Sequence, residues 1–316
     1  MKKTGWIKPM AHGDRIIILG SSGAAPTKKR NCTSMVFATE SYGIMFDCAE
    51  GTQRQLIRAG YKISRIKYIL ISHLHFDHVG GLIPMLCTKS MFGIKNKITI
   101  IGPSGISEFI NFNLSSAGSR LAFEYDVIEV REESDTRFFE EFVIETIALN
   151  HRIESYGFRI KFYDKPGNII PDKLREFGIE EGPLCGKLKK NGHIVLQNGK
   201  TVNLSDVATE KKRGKIISFA GDTYLCKGLY RCIKDADLAA IESTFLDSEI
   251  ERAKTRTHLT AKMAGNVAER SNVKELLLYH FSASYPNIED FKNECFEKFK
   301  KKIHLAEDLK VIYLNE

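Results

Sequence analysis

Two hydrophobic periods alternate along the chain. Short apolar runs rich in Val and Ile, bounded by Gly, Asn and charged residues, predict strands over 15–19, 35–39, 43–47, 67–72, 98–101, 142–148, 157–163, 215–219, 238–241, 275–279 and 310–314. Between them, apolar spacing of three and four predicts helices over 52–59, 80–90, 105–114, 260–271 and 288–303. The last carries Ile288, Phe291, Cys295, Phe299 and Ile303 on one stripe. Strands and helices mix from end to end, which predicts one α/β domain over 1–316. The stretch 164–214 breaks the pattern. It is punctuated by Gly and Pro, has little helical periodicity, and reads as an inserted arm.

Several strand ends carry the same kind of residue. The run at 67–72 leads into "HLHFDH", so three of the nine histidines fall within six residues, with an aspartate among them. Alternate side chains of a strand share a face, so His73 and His75 can point together, and Asp77 and His78 follow as the chain turns. Imidazole with carboxylate suits a divalent metal in an open, hydrolytic site rather than a closed structural one. His151 follows "FVIETIALN", Asp222 follows "KIISFAG" and His280 follows "ELLLY". Alone, the two histidines could be satisfied core residues and Asp222 a helix cap. Together the seven donors suffice for two ions sharing a carboxylate. Glu242 in "IESTF" and His258 in "THLTA" could assist proton transfer, or could be capping and surface groups.

Composition narrows the setting. Hydrophobic content of 43% and charged content of 27% are ordinary for a globular chain. No apolar run approaches the ~20 residues that span a bilayer, and the basic start lacks a signal-peptide core, so cytoplasmic residence and no membrane partner are expected. Seven scattered cysteines with no C-x-x-C pair argue against disulfides and thiolate zinc. The net charge of +8 is uneven. Residues 186–215 hold eight Lys or Arg against two acids, a solvated loop or a surface for a polyanion.

The motifs in their order resemble those of the metallo-β-lactamase superfamily, and more narrowly the ribonuclease Z (tRNase Z) family. The resemblance rests on "GSSGAAPTKKRN" (20–31), "DCAEGTQRQL" (47–56), the H-x-H-x-D-H turn, "LNHRIESYGFRI" (149–160), "GDT" (221–223), "ESTF" (242–245) and "HFSASY" (280–285). It implies a four-layer αβ/βα sandwich and two Zn2+ per subunit. His73, His75 and His151 would hold one ion and Asp77, His78 and His280 the other, with Asp222 shared. Asp77 would be the general base, and His258 with Glu242 would assist the leaving oxygen. Within "GPLCGKLKKNG" (182–192), Gly182, Pro183, Lys187, Lys189 and Lys190 resemble a tRNA-gripping exosite. The implied activity is removal of the 3′ trailer from precursor tRNA, leaving a 3′-hydroxyl on the tRNA and a 5′-phosphate on the trailer, by a homodimer. The chain departs from the family's usual residues at Ala49, Leu259 and Ser284, none a metal-ligand position. The alternatives are hydrolysis of small phosphodiesters, thioesters or lactams on the same platform, or a metal-free RNA-binding scaffold.

Overall fold

The computed structural model describes residues 13–314; the basic start at 1–12 and the last two residues lie outside the described residues. Nearly continuous Ile, Val, Phe and Met runs form strands buried on both faces, as expected where parallel strands are covered on either side. They build two seven-stranded sheets. The first runs in the order Val311–Tyr313, Arg15–Gly20, Ser34–Ala38, Gly43–Phe46, Ile66–Leu70, Ile98–Pro103, Tyr125–Val130, and the last four of these are parallel. The second runs Lys302–Leu305, Glu275–Tyr279, Leu238–Glu242, Ile216–Ala220, Tyr156–Phe162, Phe142–Ala148, Ser134–Phe138, and the first four are parallel.

The sheets meet through stacked rings: Phe46 of the first lies 5.0 Å from Phe219 of the second, which stacks on Tyr279 at 5.2 Å. Helices cover the outer faces. Leu82, Met85 and Leu86 of Leu82–Met91 and Ile106, Ile110 and Leu114 of Ile106–Ser116 join Ile17, Leu19, Met45, Ile69 and Ile100 in one core. On the other side, helices Ala261–Arg270 and Glu289–Lys298 pack so closely that a methyl at Gly265 would lie 2.6 Å from the Cys295 carbonyl oxygen. The result is the four-layer αβ/βα sandwich. Its consequence for chemistry is geometric: parallel strands of both sheets end at one edge, where ligands of α/β folds gather.

Three expectations need correction. The 288–303 helix stops at Lys298, because Phe299 is extended (φ −120°, ψ 108°) and the chain re-enters the sheet as Lys302–Leu305. Phe299 and Ile303 remain buried, so the apolar stripe continued while the secondary structure changed. Strands Tyr125–Val130 and Ser134–Phe138 were not expected: the first fully buries only Val130 and the second buries no residue, so neither carries an apolar run. Finally, 164–214 contains regular structure: helices Pro171–Glu176, Pro183–Asn191 and Leu204–Val207 and a hairpin of His193–Val195 with Thr201–Asn203.

The chain divides into two compact units, one of residues up to Phe138, Ile144–Ile160 and Ile216 onward, the other of Phe139–Val143 and Lys161–Lys215. The second has a core of its own, Leu174, Ile179, Leu188, Ile194, Val202 and Val207. Among the described residues no helix is long and apolar enough to cross a membrane, and the seven cysteines are free.

Candidate metal centre

Strand ends in the first unit bring the sequence-selected residues together. His73, His75, Asp77 and His78 follow Ile66–Leu70; His151 follows Phe142–Ala148; Asp222 follows Ile216–Ala220; His280 follows Glu275–Tyr279. Donor atoms of His73, His75 and His151 lie within 4.8 Å of one another, and so do those of Asp77, His78 and His280. The Asp222 Oδ2 atom faces both groups, 3.8 Å from His73 Nε2 and 3.3 Å from His78 Nε2 and from His280 Nε2.

In four of the five rings the outer nitrogen is already engaged. His73 Nδ1 meets Ser72 Oγ at 2.9 Å, His78 Nδ1 meets Asp47 Oδ2 at 2.7 Å, and His280 Nδ1 meets Thr244 Oγ1 at 2.8 Å. His151 Nδ1 sits 3.1 Å from the Thr257 carbonyl oxygen and 3.0 Å from its Oγ1. These partners fix rings and tautomers, as the residues behind metal-binding histidines commonly do. Their effect is to aim Nε2 lone pairs inward: His73 Nε2 is 3.0 Å from His75 Nδ1, and His78 Nε2 is 3.2 Å from His280 Nε2. Facing lone pairs at that range repel unless cations lie between them. The buried Asp222 Oδ1 likewise has no hydrogen-bond donor among the described residues. The donor set therefore fits divalent metal, with imidazole and carboxylate ligands of the hydrolytic kind.

Electrostatics agree with a cation site. Burial, then the neighbouring His78, hold His73 well below the usual imidazole range. Burial also lowers His75 and His151. At His78 burial is outweighed by the Asp222 and Asp47 carboxylates, which raise it. Burial would raise Asp77 and Asp222 as well, but the surrounding imidazoles keep both well below the carboxylate range.

Beside the ligand cluster stands a second pair. Buried Glu242 accepts from His258 Nδ1 at 2.9 Å, from the Leu259 and Thr244 backbone N–H groups at 3.1 and 3.0 Å, and from Thr244 Oγ1 at 2.8 Å. Burial lowers the His258 imidazole, but Glu242 outweighs it and the net shift is upward. His258 Nδ1 lies 3.9 Å from Asp222 Oδ2, adjoining the cluster.

Sequence reasoning gave Asp47, Gly23 and Thr244 no role at the site and read Thr257 only as a possible helix cap; it closes helix Ile250–Arg256, while Thr260 caps the next one. Asp47 ends Gly43–Phe46, the strand-end signal used for the others, and it holds His78 and Ser72. Gly23 lines the His280 ring so closely that a methyl there would lie 2.5 Å from Cε1. Its neighbour Ala24 donates its N–H to Asp77 Oδ2 at 2.7 Å. His280 itself has φ 63°, a conformation that surrounding structure must enforce. Gly182, Pro183, Lys187, Lys189 and Lys190 are exposed in the second unit, the lysines on helix Pro183–Asn191 anchored by buried Leu188.

A family model described as "Anti-Pycsar protein Apyc1" matches residues 15–170. Ribonuclease Z of Pediococcus pentosaceus is 35% identical over 270 residues, which are 84% of this chain and 88% of that protein. Ribonuclease BN of Enterobacter sp. (strain 638) is 36% identical over 299 residues, 93% of this chain and 97% of that protein. Among solved structures, the short form of human tRNase Z is similar with a TM-score of 0.70 at 28% identity, covering 96% of this chain and all of that one. Sequence similarity over most of the length and a shared architecture agree: the chain belongs to the ribonuclease Z family, of the metallo-β-lactamase fold.

Proposed function

We propose that this chain is a metal-dependent endoribonuclease that removes the 3′ trailer from precursor tRNA in the cytoplasm, leaving a 3′-hydroxyl on the tRNA and a 5′-phosphate on the trailer. The carrying observation is the convergence of five imidazoles, Asp77 and Asp222 with their ring lone pairs aimed inward. His73, His75 and His151 would hold one zinc, Asp77, His78 and His280 a second, and Asp222 would touch both. When bound, such ions supply Lewis acidity, acidifying water and offsetting phosphate charge.

The remaining work belongs to side chains. Asp77, held by the Ala24 N–H, accepts the proton of the attacking water. Water attacks phosphorus, the bond from phosphorus to the ribose 3′-oxygen breaks, and that oxygen takes a proton. His258, with Nδ1–H committed to Glu242, is the donor. The exposed lysines of Pro183–Asn191, with Gly182 and Pro183 before them, bind the tRNA backbone through charge, an affinity that falls with salt. The working assembly is a homodimer.

Incubating the purified protein with a precursor tRNA and mapping the 3′ end tests the reading. Cleavage at the trailer junction, lost with chelator and restored by Zn2+, is expected. Chelator-resistant cleavage, or an intact precursor beside rapid hydrolysis of a lactam or thioester, would overturn it.

A further inference from the structure

Phe76 interrupts the ligand turn, between His75 and Asp77, yet it is 77% exposed, the most exposed aromatic ring among the described residues. The short helix Phe76–Val79 buries His78 and Val79, which turns Phe76 outward. The ring lies beside Gly80, where a methyl would come 3.3 Å from Phe76 Cδ1 and 2.7 Å from its carbonyl oxygen. Gly80 has φ −60°, which any residue adopts, so what its missing side chain provides is room rather than a special backbone angle. Nearby, Arg152 is exposed, has no carboxylate partner among the described residues, and follows His151, whose ring centre lies 5.2 Å from that of His75. An apolar plane and an unpaired cation thus border one ligand, His75.

We propose that Phe76 and Arg152 form the nucleotide grip at the mouth of the metal centre: the Phe76 ring stacks on the base flanking the scissile phosphate, and the Arg152 guanidinium contacts the adjoining phosphate. Single-stranded RNA offers that pairing of π-face and anion, and stacking needs no particular base. The assignment rests on the RNA-cleaving function proposed above and adds substrate-positioning residues to it.

The test is a cycle of protein and substrate changes. Wild type, Phe76→Ala and Phe76→Trp are compared on precursor tRNA with intact nucleotides, and on substrates made abasic on either side of the scissile phosphate. Phe76→Ala should raise KM about 5- to 150-fold on the intact substrate, the span of base–aromatic stacking. Phe76→Trp should keep wild-type KM. One abasic substrate should weaken wild type by a similar factor and leave Phe76→Ala unmoved. Arg152→Ala should lower the slope of log Kd against log salt by about one. Metal content and melting temperature, expected to be unchanged, guard against a damaged site. Equal responses of wild type and Phe76→Ala to both abasic substrates would overturn the stacking role, and an unchanged salt slope would overturn the phosphate contact. A wild type that cleaves no precursor tRNA would instead refute the function beneath the proposal.

Discussion

Replacing Asp47 by Asn exchanges one carboxylate oxygen for an NH2 group and tests how the candidate metal centre is oriented. Asp47 is fully buried at φ 52°, a conformation that Asn tolerates, so the backbone need not move. Its Oδ1 accepts from the Ser72 N–H at 2.7 Å; its Oδ2 accepts from Ser72 Oγ at 2.9 Å and from His78 Nδ1 at 2.7 Å. An amide cannot satisfy both sides. With the amide oxygen on Ser72 N–H, the NH2 group faces His78 Nδ1, which must become an acceptor. His78 Nε2 then carries the proton and has no lone pair for an ion. With the amide reversed, the NH2 meets the Ser72 N–H, donor against donor. Losing the partner behind a ligating histidine typically weakens metal binding 10- to 100-fold, ~1.4–2.7 kcal/mol. The lost charged hydrogen bond removes a further ~1.5–3 kcal/mol of stability, whether or not metal is present. Competition with a coloured chelator measures the first, and thermal melts of metal-free protein the second. An Asp47→Asn protein that binds zinc as tightly as wild type would refute the tautomer argument, even if it melted early.

Gly23→Ala should cost at least about tenfold in metal affinity, because its methyl occupies the space of the His280 ring; stoichiometric zinc in the purified variant would contradict this. Lys89 is fully buried, with Nζ 2.7 Å from Asn96 Oδ1 and 4.6 Å from the Phe123 ring centre, and burial pulls it down to about 8. The unfolded chain, titrating near 10.4, binds more protons between those values, so this group makes stability rise with pH from about 8 to 10.4. Lys89→Met should therefore stabilise below pH 8, by at most ~3 kcal/mol, with a gain that shrinks toward pH 10; melts across that range decide it. Replacing 166–211 by a short Gly-Ser turn joins Lys165 to Lys212, whose backbones already pair at 2.9 Å. That variant should lose most salt-sensitive tRNA binding while still hydrolysing a small phosphodiester, as fluorescence anisotropy and a chromogenic assay would register.

The convergence of the seven candidate donors was legible because each follows a buried apolar run, and a strand that ends at a crowded sheet edge leaves its next polar side chain at the same place. Asp47 gave that signal too, yet its work depends on contact with His78, thirty-one residues on. Thr244 and Thr257 were harder. Each acts through a hydroxyl on a histidine 36 or 106 residues away, and Thr257 sits at φ 55° closing helix Ile250–Arg256, where nothing local marks its partner. In 164–214 the prolines misled. Pro171 and Pro183 stand in the first turns of helices, where a missing N–H is harmless, so punctuation that read as loop marked helix starts. The fold class was readable from the alternation of elements. The edge strand Val311–Tyr313 was readable too, but Ser134–Phe138 was not, since it has no buried face to imprint a pattern.

The donors come from both sheets. His73 through His78 extend a strand of the first, while His151, Asp222 and His280 extend strands of the second. A chain in which only one sheet has formed therefore cannot bring the seven candidate donors together; the pocket exists only once both sheets have packed face to face.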